Sequence, residues 1–273
     1  MIVFVFSSVN YYHALLLSVL LELRKVNPLW SALLWGAVSG SAVLLGALLA
    51  LYLPIPNKLI GFIMAFGTGV LIGAAAYELL DDSANEGGLT ATIIGFTAGA
   101  VVFTLFDWYI SRKGGAGRKR SVRDSGGTKA QGSGLAIFAG TVLDAIPESI
   151  MIGASLISGQ GVSILLVVAI FISNIPEGLS STAGLKQDNY SKAKIVMLWL
   201  GVLLISTAAS GAGYTFMDHA SGSTTALIAS FAGGGIISMV SSSMMPEAYE
   251  DGGPLTGLLA AQGMLCSLIL DHL

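Results

Sequence analysis

The amino-acid sequence predicts an all-α fold, a polytopic membrane helix bundle of eight transmembrane helices. Three observations predict it: the composition is strongly apolar, long apolar runs recur along the chain, and basic residues gather between two of these runs. Hydrophobic residues make up 54% of the 273 residues and charged residues only 11%, whereas about a quarter of the residues in a soluble domain are charged. The mean hydropathy is +0.79. We therefore expect one membrane domain and no sizeable soluble core.

The apolar runs define the helices, because a helix of about 20 apolar residues spans the hydrocarbon core of a bilayer. Eight spans are predicted near residues 30–52, 59–80, 89–110, 135–157, 163–185, 195–217, 225–245 and 254–271. They form a single transmembrane domain, residues 30–273. Residues 1–29 form an N-terminal segment whose apolar stretch 2–21 lacks the basic start and cleavage site of a signal peptide. Whether this stretch is an extra span is left open.

The basic residues predict the orientation of the chain. Segment 111–134, between the third and fourth spans, holds seven of the 13 Lys and Arg residues and is rich in Gly and Ser. Basic loops stay in the cytoplasm, so this segment is expected to be a cytoplasmic loop of a multi-pass protein of the plasma (inner) membrane. Alternation then puts Lys58 and Lys192 inside and the acidic 81–86 connection outside. The basic residues form no stripe that would bind nucleic acid, and the single cysteine, Cys266, excludes a disulfide framework.

The chain also contains an internal repeat. A shift of 165 residues lays residues 66–88 over residues 231–253, so that Phe66 meets Phe231 and Gly69 meets Gly234. The first span resembles the sixth in the same way, and the second resembles the seventh. Because five spans separate the partners, they are expected to have opposite orientations in the membrane. Such inverted repeats occur in many secondary transporters, whose substrate sites lie near the membrane midplane.

A shorter repeat places acidic residues inside the fourth and fifth spans. The sequences are Asp-Ala-Ile-Pro-Glu-Ser at 144–149 and Ser-Asn-Ile-Pro-Glu-Gly at 173–178. The first residue and the glutamate of each motif are four apart and share one helix face. Each proline lacks an N–H and frees a carbonyl oxygen one turn back. Freed carbonyls beside acidic side chains are typical of a cation site.

The free-energy cost of these acidic residues also indicates a function. An acidic residue at the centre of a transmembrane helix costs about 2.5–3.5 kcal/mol on insertion scales. Asp144, Glu148 and Glu177 lie in predicted spans that contain no Lys or Arg, so metal ions or protons are expected to compensate them. The alternative is that the carboxyl groups are protonated and serve only as hydrogen-bond partners between helices.

These motifs resemble a known family. "DAIPESIMIGAS", "SNIPEGLSSTAG" and "PEAYEDGG" are similar to segments of the ZIP (Zrt/Irt-like) divalent metal transporters, in particular the prokaryotic GufA-like branch. The resemblance implies a binuclear metal site between the fourth and fifth helices, from which zinc, iron or manganese passes to the cytoplasm by alternating access. Glu148 and Glu177 match the family's two bridging glutamates. Asp144 stands where a histidine is usual, and Asn174 where an amide or carboxylate is usual.

The chain departs from the family at other metal-site positions. Ala145 stands where the family often has asparagine, Ser173 where it has histidine or glutamine, and Ser206 about where some members have a sixth-helix glutamate. The predicted metal ligands are therefore all oxygen donors: Asp144, Glu148, Ser173, Asn174 and Glu177. Oxygen ligands favour harder ions such as Mn²⁺ or Fe²⁺, although Zn²⁺ also binds carboxylate. With these ligands lost, one well-formed metal position is expected instead of two.

Further residues and alternatives complete the prediction. Glu247, Glu250 and Asp251 either receive an exiting ion or form a solvated helix end. The sequence contains no G-x-S-x-G, H-E-x-x-H or P-loop motif, so an enzyme is not expected. No resident cofactor is predicted, and the expected partners are the lipid bilayer and a divalent metal ion (Zn²⁺, Mn²⁺ or Fe²⁺) as transported substrate, with a homodimer left open. The competing functions are a proton-coupled carrier of another solute and a non-transporting ZIP homologue.

Overall fold

The computed structural model describes residues 27–110, 133–158 and 161–272, which form a bundle of helices. The helices are α1 (Pro28–Tyr52), α2 (Asn57–Glu86), α3 (Leu89–Ile110), α4 (Ser133–Ser155), α5 (Ile164–Gln187), α6 (Lys192–Met217), α7 (Gly222–Gly252) and α8 (Leu255–Asp271). Within these residues there is no strand, and the predicted all-α class is confirmed. Most of the predicted N-terminal segment 1–29 and of the loop 111–134 lies outside the described residues.

Six of these helices are long and apolar enough to cross a membrane, namely α1, α2, α3, α5, α6 and α7. Helix α8 has 17 residues, and α4 has 23 residues and carries Asp144, Pro147 and Glu148. Six such helices indicate an integral, multi-pass membrane protein. The count of eight spans stays a prediction.

Two helices extend beyond their predicted ends. Residues 81–86, predicted to be a connection, continue α2, because Ser83 Oγ donates to the Leu79 carbonyl and Asn85 Nδ2 donates to Asp81 across one helical turn. The seventh span was predicted to end at 245, but α7 continues through Met245–Gly252 with Pro246 in its first turn. A hydropathy pattern detects only the part of a helix that lies in lipid, so it does not predict the polar ends of a helix.

The internal repeat has structural counterparts. Helix α2 contains a π-helical segment, Ala75–Asp81, and α7 contains one at Val240–Met244, which begins 165 residues later. The turns that follow also correspond, because Gly88 and Gly253 have positive φ angles of 91° and 70°, which glycine adopts without steric cost. Helix α2 packs against α8, and its repeat partner α7 packs against α3. The repeat therefore extends to a third pair of helices, α3 and α8.

The helices pack in two groups. Helices α1, α4, α5 and α6 contact one another and form the first group. In the second group α2 packs against α7, α8 packs against α2, and α3 packs against α7, while α5 packs against α2 between the groups. In the first group the fully buried Trp199 of α6 donates its indole N–H to Thr182 Oγ1 of α5 at 2.9 Å and packs edge-on against Phe138 of α4. Through these contacts Trp199 of α6 holds α4 and α5 side by side.

Candidate metal site

Helix α5 carries the second motif and is held at its start by a polar cap. Ser163 Oγ accepts a hydrogen bond from the backbone N–H of Leu166 at 3.1 Å, which satisfies one free donor of the first turn. The same hydroxyl donates to Glu78 in the π-helical segment of α2. The start of α5 is therefore joined to the other helix group.

The register between α4 and α5 follows from one contact. Thr141 Oγ1 of α4 and Ser181 Oγ of α5 are 3.4 Å apart. Only residues 156–163 separate the two helices, so they are antiparallel neighbours. At a rise of about 1.5 Å per residue, this register puts Asp144 at about the level of Glu177, and Glu148 at about the level of Asn174. Both motifs thus lie in one polar layer.

All five predicted ligands are buried. Asp144 is 6% exposed, and Glu148 and Glu177 are each 3% exposed. Asn174 is 3% exposed and Ser173 is fully buried. Neither glutamate therefore faces the outside of the bundle, as a site between helices requires.

The two acidic residues of α4 border a cavity that the sequence motif did not predict. Asp144, Pro147 and Glu148 line a cavity of about 220 Å³ between α3, α4 and α7. The rest of its wall is mostly apolar and includes Phe103, Phe106, Phe231, Ile236 and Met239. The acidic face of α4 is therefore reached from the α3 and α7 side as well as from α5.

Ser173 has a more restricted position. Its Oγ donates to the carbonyl of Ile170 in its own helix at 3.1 Å. The backbone at Ser173 lies directly against Gly67 of α2, where an added Cβ would come within 3.1 Å of Ser173 Cα. The hydroxyl oxygen keeps its acceptor capacity, so Ser173 can still act as a ligand.

Glycine contacts set the position of the second motif. A Cβ added at Gly46 of α1 would overlap the carbonyl oxygen of Ile175, the residue before Pro176. A Cβ added at Gly178 would overlap the carbonyl oxygen of Val43. The backbones of α1 and α5 therefore touch on both sides of Glu177, as small residues allow in membrane helices.

Two further polar residues are placed by the structure. Glu247 of α7 is only 4% exposed, and its Oε1 accepts a 2.7 Å hydrogen bond from Ser180 Oγ of α5. Of the two alternatives given for Glu247, the solvated helix end is therefore wrong, while Glu250 is exposed. Ser206 is buried against Gly40 of α1, so it packs two helices together. Glu247 belongs to the Pro-Glu pair 246–247, which the sequence motif already contained. Because this pair follows the predicted seventh span, the sequence did not place Glu247 inside the bundle.

Within residues 27–110, 133–158 and 161–272, no three Asp, Glu, His or Cys side chains are close enough to hold one metal ion. The predicted ligand set also contains the Ser173 hydroxyl and the Asn174 amide, and these residue types are not among the four considered in that group. The five-residue ligand set remains a prediction.

Comparisons with known proteins agree with the resemblance in the motifs. No family model matches the chain. The chain is similar to the zinc transporter SLC39A7 of Canis lupus familiaris, with 25% identity over 173 residues, 58% of this chain and 37% of that protein. The mouse protein of the same name is 26% identical over 148 residues (52% and 31%), and the human one 27% over 144 residues (50% and 31%).

The matched regions cover about a third of the length of these relatives, 31–37%. Partial matches at this level of identity support the resemblance to the ZIP family. The relatives are named as transporters, which agrees with the prediction that the chain is not an enzyme.

Proposed function

We propose that this chain is a ZIP-type secondary transporter that moves a divalent metal cation, Zn²⁺, Mn²⁺ or Fe²⁺, toward the cytoplasm by alternating access. The observation that carries this proposal is the burial of Asp144, Glu148 and Glu177 on two helices that lie side by side. The multi-pass helical fold and the similarity to proteins named as zinc transporters support it. Membership of the GufA-like branch and location in the plasma (inner) membrane belong to the same proposal.

The metal is proposed to bind between α4 and α5, at Asp144, Glu148, Ser173, Asn174 and Glu177. The register at Thr141 and Ser181 supports this placement, because it gives each level of the polar layer oxygen donors from both helices. The two levels, four residues apart, are separated by about 6 Å along the axis. The proposal requires the side chains of this layer to turn their oxygen atoms from both helices toward one ion.

Electrostatics favour a divalent ion at this position. Three carboxylates around one M²⁺ ion leave a net charge near −1, whereas without a cation their mutual repulsion and burial are unfavourable. The site is therefore expected to hold either a metal ion or protons, and exchange between the two keeps the membrane interior close to neutral.

The cavity beside Asp144 and Glu148 supports access to the site. Its volume is about 220 Å³, and Asp144 and Glu148 are the acidic groups in an otherwise mostly apolar wall. A cation is proposed to reach the carboxylates through this cavity. The apolar lining would bind the ion weakly, so the carboxylates are the point of attraction.

Metal flux in proteoliposomes tests the proposal. Purified protein is reconstituted, and uptake of Zn²⁺, Mn²⁺, Fe²⁺, Mg²⁺ and Ca²⁺ is compared with that of protein-free vesicles and of a Glu177→Gln variant. We expect saturable uptake of at least one transition metal and its loss in the variant. Proton flux that is indifferent to metals would instead indicate a carrier of another solute. Absence of any flux from folded protein would indicate a non-transporting homologue.

A further inference from the structure

We infer that Glu247 and Ser180 form a second binding position for a divalent cation, one helical turn from Glu177, in a proposal that rests on the transport function proposed above. This position is distinct from the five predicted ligands, and it draws its two oxygen donors from different helix groups. Ser180 belongs to α5 and Glu247 to α7.

The geometry at Glu247 is that of an oriented internal carboxylate. Glu247 is 4% exposed and Ser180 is 3% exposed. The 2.7 Å hydrogen bond from Ser180 Oγ to Oε1 holds the carboxylate against α5. A carboxylate has a second oxygen and further lone pairs, so this hydrogen bond orients the group for a cation without using up its acceptor capacity.

Glu247 is close to the proposed site along α5. Ser180 follows Glu177 by three residues, and side chains at this spacing are neighbours on a helix, with Cβ atoms about 5–6 Å apart. The Glu247 carboxylate, bonded to Ser180, therefore lies within about one helical turn of Glu177. In the predicted orientation Ser180 lies between Glu177 and Lys186, at the cytoplasmic end of α5, so an ion that leaves Glu177 inward meets Glu247 next.

Two further hydroxyl groups belong to the neighbouring residue of α5 and to α4. The hydroxyl groups of Thr141 and Ser181, which meet at 3.4 Å, lie on the residue next to Ser180 and on the facing turn of α4. Carboxylate and hydroxyl oxygens suit the same hard and borderline divalent ions as the main site. The next acidic residue of α7, Glu250, is exposed, so Glu247 is the member of this turn that is directed into the bundle.

The variant Glu247→Gln separates charge from packing. Glutamine keeps an oxygen that can accept from Ser180, but it removes the negative charge. Equilibrium binding of Mn²⁺ and Zn²⁺ is measured on the purified full-length protein, and initial uptake rates are measured in proteoliposomes. We expect the affinity of the main site to stay within about threefold and the uptake rate to fall about tenfold. Glu250→Gln is the matched control and is expected to behave as wild type.

Two milder variants test the same position if the glutamine variant does not fold. Glu247→Asp keeps the charge on a shorter side chain and is expected to retain more uptake than Glu247→Gln. Ser180→Ala removes the orienting hydroxyl and is expected to lower uptake by about two- to fivefold with binding retained.

Different results overturn the two proposals. Wild-type uptake in Glu247→Gln, or in both milder variants, would exclude a role for Glu247 in the path. Equal losses of affinity and uptake would place Glu247 in the main site and exclude a separate position. A wild-type protein that neither binds nor moves metal would overturn the transport function itself.

Discussion

The hydroxyl oxygen of Thr141 on α4 lies 3.4 Å from that of Ser181 on α5. This buried contact sets the register of the two antiparallel helices, so that Asp144 and Glu177 fall at about the same level. Two motifs that are remote in the chain therefore share one polar layer inside the bundle.

Loss of either motif glutamate is expected to weaken metal binding. Glu148→Gln and Glu177→Gln each remove one charge from the proposed site, and we expect each to lower the affinity for Mn²⁺ and Zn²⁺ at least about tenfold, or about 1.4 kcal/mol. Isothermal titration of the detergent-purified protein measures this, together with the expected stoichiometry of one ion at the main site. Unchanged affinity in either folded variant would remove that glutamate from the ligand set.

Asp144 is expected to control the choice of metal. Asp144→His would add a nitrogen ligand and reduce the repulsion between carboxylates, a combination that favours Zn²⁺ over Mn²⁺. Competition between Mn²⁺ and Zn²⁺ uptake in wild type and variant measures the shift. Asp144→Ala is the companion variant and should weaken binding of every divalent ion. An unchanged uptake ratio in a folded, active histidine variant would mean that Asp144 is not a metal ligand.

The contact between α1 and α5 is expected to support both stability and binding. In Gly46→Ala the new Cβ would overlap the carbonyl oxygen of Ile175, and overpacking of this kind costs about 1–3 kcal/mol. We expect a lower melting temperature and weaker metal binding, because the displaced segment leads into Glu177. Gly201→Ala is the control, since no atom lies within 4 Å of its added Cβ, and it should melt at or above the wild-type temperature. Equal melting temperatures for wild type and Gly46→Ala would contradict the close approach.

The predicted orientation is testable at the first turns of α6 and α7. Lys192 and Ser223 are both exposed, and the charge pattern puts them on the cytoplasmic and outer sides, respectively. In a Cys266→Ser background, an impermeant maleimide should label Ser223→Cys on right-side-out vesicles. It should label Lys192→Cys only after permeabilisation, and the reverse pattern would invert the topology.

The positions of the helices were predictable because burial of an apolar run in lipid is a local property of the sequence. The third span, predicted at 89–110, is observed at Leu89–Ile110. The exceptions are polar ends such as Met245–Gly252, where helical hydrogen bonds continue without apolar side chains. The acidic motifs were also visible, because carboxylates near the centre of an apolar run are costly and rare.

What the sequence determined by itself was therefore the set of helices, the repeat of 165 residues and the acidic residues of α4 and α5. The tertiary structure alone decided that Ser180 donates to Glu247, 67 residues away, that Asp144 and Glu148 border a cavity with α3 and α7, and that α2 packs on α8 while α7 packs on α3. Helices in lipid select their neighbours through the fit of small residues and hydrogen bonds between surfaces. That fit depends on residues far apart in the chain, and hydropathy along a single segment does not record it.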